Sequence, residues 1–268
     1  MKSRVQILIA RLGAASTRNR VLRALIAGLG LLPAGRATAR NFTTLHNFTA
    51  LSHETNSDGA SPQPGLILSG NTLYGTAYDG GSSGNGTVFA VNTNGTGFTN
   101  LHTFDYSDGA NPHGGLILAG NTLYGTAYNG GSASNGAVFA VNIDGTGFTN
   151  LYSFTALNPD NGNNKDGANP GAGLVLSGNT LYGTASLGGS SGDGTVFAVN
   201  TNGTGFTNLH NFGYSDGSEP AAGLILSGNT VYGTAPGGGN SDEGAVFAVN
   251  TNGTGFTNVY SFSALIFG

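Results

Sequence analysis

Gly65-Leu-Ile-Leu-Ser-Gly-Asn-Thr-Leu-Tyr-Gly-Thr-Ala77 decides the fold. The stretch returns nearly unchanged at 115–127, 173–185 and 223–235. Self-similarity at a spacing of about 50 residues marks a repeat architecture, in which each unit buries its apolar faces against its neighbours. Two further segments follow within each copy. Thr87-Val-Phe-Ala-Val91 comes after a Gly80-Gly81 loop, and Phe98-Thr-Asn-Leu-His-Thr-Phe104 comes after Asn94-Gly95.

All of these segments are short, rich in Thr and β-branched residues, and bounded by Gly and Asn. That is the signature of strands joined by hairpin turns, not of helices. Asn94-Gly95 and Asn202-Gly203 are turn dipeptides because both residues tolerate positive φ. Within 98–104, strict alternation puts Phe98, His102 and Phe104 on one face and Leu101 on the other. Four strands per unit suit an all-β, propeller-like array of four blades, with units starting near 65, 115, 173 and 223. A β-solenoid of flat stacked rungs is the alternative.

Residues 42–48 repeat the strand type of 98–104, 148–154, 206–212 and 256–262, which predicts one extra strand. The copies also alternate. Gly65 to Gly173 and Gly115 to Gly223 both span 108 residues, as expected from duplication of a two-blade unit. In a closed ring of four blades, 42–48 and 256–262 would compete for one place. The reading leans to an incomplete arc that stops at Ser263–Gly268, where another long linker begins.

Charge divides the chain. Residues 1–39 carry seven of the nine cations and no acid; residues 40–268 carry all 13 acids with Arg40 and Lys165. The leading part reads as a secretory signal peptide: a basic start, the apolar run Ala24–Leu32, and the small residues Ala37-Thr38-Ala39 before a cleavage site at Arg40. The apolar run is too short to span a bilayer. The mature domain, 40–268, is therefore expected outside the cell or at its surface, with no membrane span. Its acidity repels nucleic acid and anionic lipid. There is no cysteine, so no disulfide forms.

The block Gly-Leu-Ile-Leu, Leu-Tyr-Gly-Thr-Ala, Gly-Gly and Gly-Thr-Val-Phe, followed by Asp-Gly and Pro, resembles the bacterial GloVer tandem-repeat proteins, the "choice-of-anchor" group. The resemblance covers about 42–262. It implies a secreted or surface-attached bacterial protein, propeller-like, without established catalysis. It also implies a C-terminal anchor segment, which Ser263–Gly268 does not resemble.

Residues shared by every copy serve the blade; a site should use residues that break the pattern. His46, His102 and His210 share a position with Tyr152 and Tyr260, so a planar, partly polar ring is what that position requires. His113 stands alone in a linker and reads as a surface histidine. Tyr74, Tyr124, Tyr182 and Tyr232 precede each Gly-Thr-Ala and are candidates to line a groove and stack on a sugar, against a packing role between blades. Asp58, Asp108, Asp166 and Asp216 each precede Gly and read as turn caps. The loop Asn158–Asp166 is oxygen-rich, and Asp160, Asn164 and Asp166 are its candidates for Ca²⁺.

Among the pattern-breaking acids, Asp79, Asp105, Asp193, Glu219, Asp242 and Glu243, nothing predicts the facing carboxylate pair a glycosidase needs. No nucleophile elbow, zinc motif or phosphate loop occurs. The chain reads as a non-catalytic binding or surface-interaction module with a polysaccharide or another surface protein as partner. A structural envelope component and a polysaccharide-acting enzyme are the alternatives.

Overall fold

A computed structural model describes residues 42–63 and 65–263. The segment expected to be a signal peptide, with its expected cleavage site at Ala37–Arg40, lies outside the described residues, as does the last stretch, 264–268.

The described residues are all-β: four antiparallel sheets in tandem, with no helix. Sheet one holds β1 (Ala60–Pro62), β2 (Ile67–Ser69), β3 (Thr72–Asp79), β4 (Thr87–Asn92) and β5 (Thr99–Thr103). Sheet two repeats it with β6 (Ala110–Pro112), β7 (Ile117–Ala119), β8 (Thr122–Asn129), β9 (Ala137–Asn142) and β10 (Thr149–Ser153). Sheet three is β11 (Val175–Ser177), β12 (Thr180–Ala185), β13 (Thr195–Asn200) and β14 (Thr207–Asn211). Sheet four is β15 (Ile225–Ser227), β16 (Thr230–Ala235), β17 (Ala245–Asn250) and β18 (Thr257–Ser261).

β1 and β2 lie along the same edge of β3, with Ala60 opposite Asp79, Pro62 opposite Ala77 and Ile67 opposite Tyr74. They share the first strand place of the sheet, interrupted after Pro62. In sheets three and four only single bridges, Ala168–Leu187 and Ser218–Gly237, remain of its first half. Each sheet thus has four strand places. The strand pairings are antiparallel and internal to a repeat, which overturns the solenoid alternative: its rungs would pair from one repeat to the next.

The turns form where Gly and Asn permit. Ser69 faces Thr72, so Gly70-Asn71 closes a two-residue hairpin with Gly70 at φ 57°. At Asn94-Gly95 the Asn94 side-chain oxygen accepts from the Thr96 N–H at 3.0 Å, and Gly95 takes φ 83°.

Successive sheets bury their faces against each other. Between sheets one and two, Tyr74, Val88, Leu101 and Phe104 meet Leu116, Leu123, Phe139 and Val141. The equivalent residues meet between sheets two and three, and between three and four. The last strand of each sheet departs from the expected alternation. Val88 pairs with His102 and Phe89 with Asn100, which leaves Leu101 bulged out of register. Leu101, His102 and Phe104 all turn to the following sheet, whereas Phe98 packs with Phe89 and Val91 on the preceding side. The single-face reading of Phe98, His102 and Phe104 fails because the bulge inserts one residue between them.

Residues 42–48 are not a strand, since no described residue pairs with their backbone. Residues 45–48 nonetheless pack as the end of a last strand does. His46 stacks on Phe98 at 3.6 Å, as His102 stacks on Phe148 at 3.5 Å, Tyr152 on Phe206 at 3.7 Å and His210 on Phe256 at 3.4 Å. The polar tip of each ring meets the Asp of an Asp-Gly turn: His46 with Asp58 at 2.9 Å, His102 with Asp108 at 2.8 Å, Tyr152 with Asp166 at 2.6 Å and His210 with Asp216 at 3.1 Å. A ring with a polar end is therefore what the position needs, and His and Tyr both supply it.

The two residue types differ in acid. Burial against Phe256 pushes the His210 pKa below its ordinary value of 6.5, and Asp216 offsets this only in part. The unfolded chain then takes up a proton before the folded one does. Stability held above about pH 6.5 is lost as the pH falls towards the folded-state pKa. His210→Tyr, which copies the Tyr152 arrangement, is expected to flatten the fall in melting temperature between about pH 7 and 5. An unchanged slope would place the acid sensitivity elsewhere.

Candidate functional site

The segments that lead into β2, β7, β11 and β15 approach one another closely through glycine. A Cβ on Gly65 would lie 3.2 Å from Gly115 Cα, one on Gly173 would lie 3.1 Å from the Gly115 carbonyl oxygen, and one on Gly223 would lie 3.7 Å from that of Gly173. Beside this line opens a cavity of about 490 Å³ to which every sheet contributes. Its walls are the residues that follow each Gly-Thr-Ala, namely Tyr78, Tyr128, Ser186 and Pro236, together with His113, Leu187, Glu219 and Ala221.

The backbone holds this lining in place from sheet to sheet. The Asn111 N–H donates to the Asn85 carbonyl at 2.8 Å, Asn169 to Asn135 at 2.8 Å and Glu219 to Asp193 at 2.9 Å. All three donors are left-handed, with φ of 55°, 57° and 57°. Asparagine suits that conformation, and its amide adds a second tie: Asn111 Nδ2 donates to the Tyr78 carbonyl at 3.1 Å and Asn169 Nδ2 to that of Tyr128 at 3.0 Å. Asn129 links the two, donating to Asn111 Oδ1 and accepting from Asn169 Nδ2, both at 3.1 Å. Glu219 has the strained backbone without an amide to use there.

The rings are arranged around His113. Its Nδ1 donates to the Gly171 carbonyl at 3.0 Å, which leaves Nε2 free of that contact. Tyr78 meets it edge-on at 5.9 Å and Tyr128 lies tilted at 6.3 Å. Burial, with Asp79 and Tyr128 nearby, raises the Tyr78 pKa, so its hydroxyl stays a donor. The cavity thus offers aromatic surfaces, hydrogen-bonding groups of both kinds and the carboxylate of Glu219. The Ser186 hydroxyl donates to the Asn169 carbonyl at 3.1 Å, and Glu219 is the one carboxylate among the described lining residues.

The residues expected to line a groove lie elsewhere. Tyr74, Tyr124 and Tyr182 are 5%, 8% and 6% exposed, inside the cores between sheets, and Tyr232 is half-buried on sheet four. The loop residues do not converge. Asp160 is exposed. Asn164 Oδ1 accepts from the Gly167 and Gly189 N–H groups, both at 2.8 Å, while its amide donates to the Thr155 and Gly167 carbonyls at 2.9 and 2.6 Å. Asp166 accepts from Tyr152, from the Thr155 N–H at 3.0 Å and from the Thr155 hydroxyl. Among the described residues, no three His, Asp or Glu side chains stand as a metal-ligand group.

The sequence missed His113 and the tyrosines at 78 and 128 as a group. A signal existed: the position after Gly-Thr-Ala is Tyr, Tyr, Ser, Pro in the four copies, and His113 aligns with Gln63, Gly171 and Ala221. Both positions break the pattern, and both face the cavity.

The repeats define a protein class. The model of the Gloeobacter/Verrucomicrobia repeat matches residues 33–164 and 160–266, each match holding two of the four sheets. The chain belongs to this repeat family. Comparison with curated proteins finds no match. Among solved structures, it is similar to a nidogen/laminin complex at 15% identity and TM-score 0.47, over 75% of this chain and 64% of that one. It is similar to the GH74 enzyme of Niastella koreensis at 17% identity and TM-score 0.49, over 74% and 30%. It is similar to a putative TolB of Agrobacterium tumefaciens at 12% identity and TM-score 0.48, over 76% and 68%. The matched region spans from 30% to 68% of the length of these chains.

Proposed function

We propose that the chain is an exported, non-catalytic binding module whose sheets radiate as propeller blades and whose shared cavity takes a saccharide. One observation carries this reading: residues at two positions that differ among the copies line one cavity to which all four sheets contribute. A sugar ring suits the surroundings, because its apolar face stacks on Tyr78 or Tyr128 while its hydroxyls meet Nε2 of His113 and the Glu219 carboxylate. The close approach of Gly65, Gly115, Gly173 and Gly223 supports the radial arrangement, since only innermost strands converge in this way. An acidic repeat chain with a secretory leader fits a location outside the cell or in the envelope.

A glycan array followed by calorimetry on the hits tests the reading. Tyr78→Ala and Tyr128→Ala are each expected to weaken binding by about tenfold. Glu219→Asn is expected to act in two directions. It relieves the strained backbone and supplies the missing amide, stabilising the fold by about 1 kcal/mol, while it removes a carboxylate from the ligand. Binding that survives all three substitutions would place the ligand elsewhere, and turnover of the glycan would make the chain an enzyme.

A further inference from the structure

The same joint between sheets is built three times inside this chain, and each half of it is also present at an end of the array with part of its apolar surface uncovered. On the preceding side of sheet one, Leu66 is 54% exposed, where Leu116, Leu174 and Leu224 are 5%, 3% and 4%. On the following side of sheet four, Val259 is 56% exposed, where Leu101, Leu151 and Leu209 are 8%, 9% and 6%. Tyr260 and Phe262, at 55% and 46%, are uncovered beside it. These surfaces carry the residue types that meet at the internal joints.

We propose that sheet four of one copy seats on sheet one of a second copy, head to tail, with β18 taking the place that residues 44–48 hold there. That place admits one strand. At each internal joint the leucine of the last strand lies against the turn glycine of the next sheet: Leu101 at Gly145, Leu151 at Gly203 and Leu209 at Gly253. Leu45 lies against Gly95 in the same way, so residues 44–48 are a placeholder. Beside the placeholder runs an apolar cleft of about 700 Å³, walled by Phe48, Leu66, Leu73, Phe89 and Val91.

Comparison of the two competitors favours β18. It is hydrogen-bonded along β17 from Thr257 to Ser261, whereas 44–48 lacks strand pairing and is held by His46, Phe48 and the Asp58 contacts. Displacing 44–48 breaks no sheet. The incoming Tyr260 would stack on Phe98 and donate to Asp58, as Tyr152 does on Phe206 and Asp166. The contact is heterologous, so it closes into a ring or continues as a filament according to the angle between copies.

Light scattering and sedimentation of the full chain across a concentration series test this. The wild type is expected to form assemblies of two or more copies as concentration rises. Loosening the placeholder with His46→Ala/Phe48→Ala should lower the concentration of half-association by about tenfold. Val259→Asp, at a position already exposed, should abolish association while circular dichroism and cooperative melting stay as in wild type. A loosened chain that remains monomeric at its highest soluble concentration would overturn the proposal, because the exposed end faces would then not seat on a second copy. Association unaffected by Val259→Asp would overturn it too. If the double variant fails to melt cooperatively, wild type against Val259→Asp decides alone.

Discussion

Gly125→Val is expected to destabilise the chain by about 3 kcal/mol or more, which lowers the melting temperature by roughly 6–12 °C. Gly125 lies in β8 directly opposite Phe139 of β9. A Cβ there would stand 2.6 Å from Phe139 Cζ and 2.8 Å from Leu116 Cδ2. Phe139 is fully buried and Leu116 nearly so, in the core shared by sheets one and two, and neither has room to withdraw. Gly120→Asn is the control. Gly120 has φ 59° and nothing within 4 Å of an added Cβ, a setting Asn tolerates, so the change should stay within about 0.5 kcal/mol. Equal melting shifts in the two variants would show that Gly125 serves backbone freedom and not the close approach of sheet and ring.

The contrast between these glycines marks where the sequence was legible. Turn glycines such as Gly70 and Gly95 sit beside Asn and between strand-like runs, so short-range chemistry identifies them. The tandem units and the grouping into four strand places follow from the same local signals. Gly125 looks no different in sequence; its partner Phe139 lies fourteen positions on, and Leu116 belongs to another strand place. The bulge at Leu101 was hidden for a related reason. Nothing in Phe98–Phe104 departs from a regular strand, and the extra residue is admitted because sheets cover both faces, so Leu101, His102 and Phe104 can all find cover on one side. Residues 42–48 show the reverse case. Their sequence is that of a strand, yet a strand exists only where another backbone pairs with it, and local composition cannot supply that partner.

The cavity was legible by halves. The rule that a site should break the repeat singled out Glu219; it applied equally to His113, which was set aside as a lone surface residue. Position 113 lies 35 residues from Tyr78 and 58 from Gly171, and only the tandem packing of sheets brings the three together. The shared tyrosines at 74, 124 and 182 looked suited to stacking, but a residue present in every copy is what a repeated core requires, and the cores are where they lie.

Asp166→Ala is expected to cost about 3 kcal/mol, and to do so with or without millimolar Ca²⁺. Asp166 is 1% exposed and accepts from the Tyr152 hydroxyl at 2.6 Å, the Thr155 N–H at 3.0 Å and the Thr155 hydroxyl. Removing the carboxylate strands three donors beside the stacked Tyr152 and Phe206 rings. Burial and the neighbouring Asp166 raise the Tyr152 pKa, so the phenol remains a donor at neutral pH and cannot relieve the loss by ionising. Asp144→Ala serves as the comparison. Asp144 caps an exposed turn through the Thr146 N–H at 2.9 Å, where water replaces the lost acceptor, so its melting temperature should barely move. Asp160→Ala should behave in the same way, since Asp160 is exposed. A Ca²⁺-dependent rise in melting temperature that both Asp160→Ala and Asp166→Ala abolish would instead make the loop a cation site. A loss at Asp166 no larger than at Asp144 would mean that water reaches the three donors. The expected pattern, large at Asp166 and small at the other two, makes the Asp-Gly turn the clasp that fastens the ring of each last strand to its own linker.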